Sequence, residues 1–133
     1  MSIVFENFKP YSITIGLPNV SITSNGMNFS KTAVAKLGNP KRIVFLLNEV
    51  GKQIAIKVCD DTDNYSVKFA KNDKLSSIRF NNKDLIQTIE KMMGWDFKSQ
   101  GYRITGDYFG EENALLFDLN KAVEFKENEM EED

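Results

Sequence analysis

Histidine is absent from this 133-residue chain, which removes any imidazole base, any histidine metal ligand and any imidazole switch near neutral pH. Cysteine occurs once. A lone Cys59 forms no internal disulfide, leaves no cysteine and histidine zinc centre within reach, and points to a reducing compartment. The glycine-rich Gly-x-x-x-x-Gly-Lys-Ser/Thr and Gly-x-Gly-x-x-Gly runs that cradle nucleotide phosphates are missing as well. No apolar run is long enough to cross a bilayer, and residues 1–10 carry neither a basic leader nor an apolar export core, so a cytoplasmic protein with no membrane partner is expected.

Little remains with which to do catalysis. Asp107, Glu111, Glu112 and Asp118 fall in or beside a turn, where carboxylates are ordinarily solvated rather than paired for acid and base work. Asp61-Thr62-Asp63 opens like a calcium loop, but Ser66 and Asn72 stand where that loop needs glycine and a bidentate glutamate. The expectation is a protein that is not an enzyme and holds no metal or cofactor.

What is present is an ordinary globular composition, 41% hydrophobic and 27% charged, at a length typical of one domain. The net charge of −2 conceals an uneven distribution. Residues 1–58 carry 7 lysines and arginines against 2 acids, whereas residues 59–133 carry 10 against 17. A basic first half meets the electrostatic requirement for binding a phosphate backbone, although the same lysines also serve simply to solvate a surface.

Periodicity locates the elements. Val20 and Ile22, then Met27 and Phe29, alternate as half-buried strands around the turn-forming pair Asn25-Gly26. Ser30 offers an N-cap to a short helix with Ala33, Val34 and Leu37 on its apolar side, closed by Gly38 and Pro40. Ile43 to Leu47 is a compact apolar run of strand length, and Ile54, Ala55, Ile56 and Val58 supply its return across a turn at Gly51. The second half follows the same outline with Val67 and Phe69, Ile78 and Phe80, and an amphipathic helix bearing Leu85, Ile86, Ile89, Met92 and Met93. Asn81 or Asn82 caps that helix and Gly94 stops it; Tyr102 and Ile104 give a strand, Gly106 to Asn113 a turn, and Leu115 to Leu119 the return. The expected architecture is an α+β domain over residues 1–123, with related halves at about 12–60 and 65–120. Residues 124–133 form an acidic, flexible tail. Before the first half, Ser12 to Ile15 reads as a strand and Phe5, Phe8 and Tyr11 as aromatics that tuck a terminal arm onto the core or bind a partner. One irregular domain without duplication remains the alternative.

Thr23-Ser24-Asn25-Gly26-Met27, Lys31, Ala33-Val34, Leu37-Gly38, Ile43 to Phe45 and Gln53-Ile54-Ala55-Ile56 together resemble the AbrB/MazE-type swapped-hairpin domain. The resemblance covers residues 21–58. It departs from the family where Asn28-Phe29-Ser30 replaces the usual Ile-Pro before the helix and where an arginine near the first strand is missing. It implies a transcription regulator or antitoxin whose hairpins interlock, within one chain or between chains, with Lys31, Lys36, Lys41 and Arg42 facing DNA phosphates. Without an arginine placed for bidentate base contacts, sequence readout would be weak.

Two functions are therefore carried forward. The first is a nucleic-acid-binding accessory or regulator-like protein using Lys31, Lys36, Lys41, Arg42 and Lys52, with DNA as partner. The second is a protein-interaction or inhibitor module, of the kind mobile genetic elements encode, whose anchor residues are Trp95, Phe97, Tyr102 and Tyr108. A monomer and a homodimer both fit interlocked hairpins.

Overall fold

The computed structural model describes Asn7 and residues 17–125. The expected strand at Ser12 to Ile15, the aromatic arm of Phe5, Phe8 and Tyr11, and the acidic stretch from Lys126 onward lie outside those residues. Within them the chain runs β1 (Asn19–Thr23), β2 (Gly26–Phe29), α1 (Lys31–Lys36), β3 (Arg42–Asn48), β4 (Gln53–Val58), β5 (Val67–Lys68) and β6 (Ile78–Phe80). There follow α2 (Lys83–Met93), β7 (Gly101–Phe109), β8 (Ala114–Asp118), a 3-10 turn over Leu119–Lys121 and β9 (Val123–Phe125). Glu124, assigned to the tail by composition, is thus the middle residue of a strand.

Local signals explain the starts and stops. The Ser30 hydroxyl accepts from the Ala33 amide and the Asn82 side chain from the Leu85 amide, each satisfying a first-turn donor that the helix itself cannot. Gly94 ends α2 in the left-handed region at φ 70. The β7–β8 turn is shorter than expected. Strand pairing continues through Tyr108 and Phe109, which stand opposite Leu115 and Ala114, so only residues 110–113 remain for the reversal.

The expected α+β class is not what these elements build. One antiparallel sheet of nine strands, in the order β5-β3-β4-β8-β7-β1-β2-β6 with β9 beside β7, curls into a half-barrel; among the described residues strand amounts to 40% and helix to 18%. The reason is that periodicity detects each strand separately, whereas the pairing that fuses them all into a single sheet is nonlocal. The two helices are too short to form a layer of their own, and they contribute Ala33, Val34, Ile86 and Ile89 to the one core. The second strand-turn-strand is also absent as such: β5 has two residues and pairs with β3, while β6 pairs with β2.

Four ladders join a strand of the first half to one of the second: β1 with β7, β2 with β6, β3 with β5 and β4 with β8. Val20 stands opposite Ile104 just as Val67 stands opposite Ile43. Asn28 opposite Arg79 and Ala55 opposite Leu116 occupy the middles of the other two ladders. The pairing is thus approximately two-fold, except that β5 and β6 leave a seam where β1 and β2 form a hairpin. Aromatic rings fill the interior behind this seam: Phe29 lies 5.7 to 6.0 Å from Phe45, Phe69, Phe80 and Phe117, and Phe69 stacks on Phe80 at 5.7 Å.

Candidate nucleic-acid interface

The seam is where cations gather. Arg42 begins β3 and stands directly opposite Lys68 of β5. Like charges at opposed positions of an antiparallel ladder repel, so this pair costs stability unless an anion or solvent screens it. Beyond β5 the edge continues through hydrogen bonds from the Phe69 amide to the Lys41 carbonyl at 2.8 Å and from the Ala70 amide to the Pro40 carbonyl at 2.9 Å. These bonds hold Lys41 and residues 69–71 alongside the Arg42 and Lys68 pair.

The result is an open concavity of about 500 Å³ lined, among the described residues, by Lys41, Arg42, Lys68, Ala70 and Lys71 together with the carboxylate of Asp61. A second hollow of about 340 Å³ shares Ala70 and Lys71 with it and adds Lys74, Arg79 and the polar side chains of Asn39, Asn72, Ser76 and Ser77. The two therefore form one continuous surface with, among the described residues, six cations and one acid along its walls. Among the described residues, none of the six is engaged in an ion pair. Arg42 Nε donates to the Ser66 hydroxyl, which fixes the guanidinium stem to the loop preceding β5.

That loop is organised by its acids. Asp60 accepts from the Thr62 amide and hydroxyl, and these bonds hold its carboxyl below the usual value; Asp63 accepts from the Tyr65 amide at 2.9 Å. The stretch that opens like a calcium loop is thus a pair of side-chain turns.

Of the residues proposed from sequence, Lys41 and Arg42 line this concavity and Lys31, Lys36 and Lys52 do not. The Lys36 ammonium lies 5.6 Å over the ring of Tyr108, on the far part of β7. Lys52 sits in the β3–β4 turn at φ 57, six residues past Arg42 along β3 and then round the bend, about 20 Å away at strand rise. Lys68, Lys71, Lys74 and Arg79 were missed because they belong to the half whose net charge is negative. For the three lysines the signal was local: a basic residue at every third position from 68 to 74.

The aromatic residues proposed as a partner anchor divide. Trp95 and Tyr102 stack at 3.8 Å with their planes 7° apart, and Phe97 packs edge-on against both. Phe97 is buried and the other two are half-buried against the core, so this trio fastens the end of α2 to β7. Burial, with the Glu124 carboxylate nearby, pushes the Tyr102 phenol above its ordinary value. Tyr108 is remote from them; its hydroxyl donates to the Asn113 side chain across the β7–β8 turn.

No protein-family model matches the chain, and no curated protein or solved structure matches it at a significant level. The resemblance over residues 21–58 accordingly rests on its own residues. No helix among the described residues is long and apolar enough to cross a membrane.

Proposed function

We propose that the chain binds nucleic acid through the concavity at the β5–β6 seam, acting as an accessory or regulator-like protein in the cytoplasm rather than as an enzyme. The observation that carries this reading is the Arg42–Lys68 pair, two cations placed directly across a ladder. A sheet tolerates such a pair most readily when its physiological partner is a polyanion, whose phosphates convert the mutual repulsion into attraction. The AbrB/MazE resemblance supports the same reading from a different direction, since it too assigns Lys41 and Arg42 to phosphates. Neither support specifies base contacts, so affinity is expected to depend on salt more than on sequence.

The test is binding of labelled oligonucleotides, followed by anisotropy at several salt concentrations. The double substitution Arg42→Glu with Lys68→Glu should weaken binding about a hundredfold and make the slope of log affinity against log salt shallower by about two. Lys52→Glu, on the far turn, should change little. An unaltered affinity in the double variant would remove the concavity from consideration. A wild-type chain inert toward nucleic acid but recovered with a stoichiometric protein would favour the interaction-module reading.

A further inference from the structure

Resting on that reading, we infer that the polyanion is single-stranded and that Tyr65 stacks on one of its bases. Tyr65 is the most exposed aromatic side chain among the described residues, at 79%. Exposure alone would say little, but its backbone is fixed. Its amide donates to the Asp63 carboxylate at 2.9 Å, and the next residue, Ser66, receives the hydrogen bond from Arg42 Nε. One hydrogen-bonded loop therefore holds both an unpartnered aromatic ring and the guanidinium that leads the basic concavity. Cationic groove plus exposed ring is the combination by which proteins hold single strands, phosphates along the groove and a base on the ring.

The rest of the site agrees with a single strand, and the adjoining helix among the described residues is not built to read a duplex groove. Reading a duplex requires an element that enters a groove, usually a helix or a two-stranded ribbon. The helix next to the site, α1, has six residues with Ala33 and Val34 buried. The concavity is recessed between strand edges, and its second hollow carries the amides of Asn39 and Asn72 and the hydroxyls of Ser76 and Ser77. Such groups meet the edges of unpaired bases, which a duplex keeps inside.

The experiment compares oligothymidine, oligouridine and a DNA duplex of equal length, using the full chain, Tyr65→Ala, Tyr65→Trp and the Arg42→Glu/Lys68→Glu variant. Single strands should bind at least tenfold tighter than the duplex. Tyr65→Ala should lower single-strand affinity about tenfold with an unchanged salt slope, and Tyr65→Trp should restore it. Because Tyr65 is exposed, both variants should fold like the parent. Comparison of the DNA and RNA strands separates two sources of the same chemistry. Duplex binding equal to or tighter than single-strand binding, or a harmless Tyr65→Ala, overturns this inference. If such binding still fails in the Arg42→Glu/Lys68→Glu variant, the concavity stands and only the stacking assignment falls; absence of binding to every probe rejects both.

Discussion

Phe29→Ala should cost about 4 kcal/mol, the range observed when a fully enclosed phenyl ring is removed and its surroundings cannot close over the void. Phe29 is completely buried and meets four other phenylalanines, each from a different part of the sheet: Phe45 on β3, Phe69 beyond β5, Phe80 on β6 and Phe117 on β8. Three of those rings are anchored to separate strands and Phe69 is tied to Lys41 through its amide, so collapse into the vacated space would require several ladders to shift together. Urea titration should show a lower midpoint with an unchanged slope. Phe29→Leu, which retains most of the volume, should lose about 1 kcal/mol. Phe109→Ala, at a ring 48% exposed, should lose less still. A loss below about 1 kcal/mol for Phe29→Ala would show that this ring does not hold the sheet's ends together.

Gly26→Ala should be nearly as damaging, at about 3 kcal/mol. Two penalties combine at this residue. Its φ of 125 lies where side chains with a Cβ rarely go, and an added Cβ would stand 2.4 Å from the Phe80 carbonyl oxygen. That oxygen belongs to the neighbouring strand β6, so relief requires separating β2 from β6 beside the seam. Gly38 provides the comparison: it also has positive φ, at 84, but nothing lies within 4 Å of the added carbon. Gly38→Ala should therefore cost only the backbone term, about 1 kcal/mol. Equal losses at the two glycines, measured by thermal or urea unfolding, would refute the close approach as the cause.

These positions also show which parts of the molecule a sequence makes legible. Asn25-Gly26, Ser30 and Gly38 with Pro40 act within a few residues of themselves, and β1, β2, α1, β3 and β4 begin and end close to where those signals place them, although the first reversal falls one residue early, at Ser24-Asn25, with Gly26 already paired opposite Thr23. Strand partnership is different in kind. Nothing near Val20 announces Ile104, and nothing near Ala55 announces Leu116. An α+β class followed naturally from a list of elements, and a single curled sheet emerged only from their ladders. The candidate site behaved likewise. Dividing charge by halves found Lys41 and Arg42 but placed Lys68, Lys71, Lys74 and Arg79 in an acidic segment, although the fold sets all six along one surface.

The cross-half ladders bear on how the protein comes to exist in a cell. While a ribosome has delivered only the first 60 residues, the hairpins β1–β2 and β3–β4 can close, but the outer rims of β1 and β4 wait for β7 and β8. Their amides and carbonyls face water or any stray extended peptide until residue 118 has emerged. Closure of the sheet consequently engages both halves at once, and the interval before it leaves the nascent chain open to aggregation or to capture by chaperones.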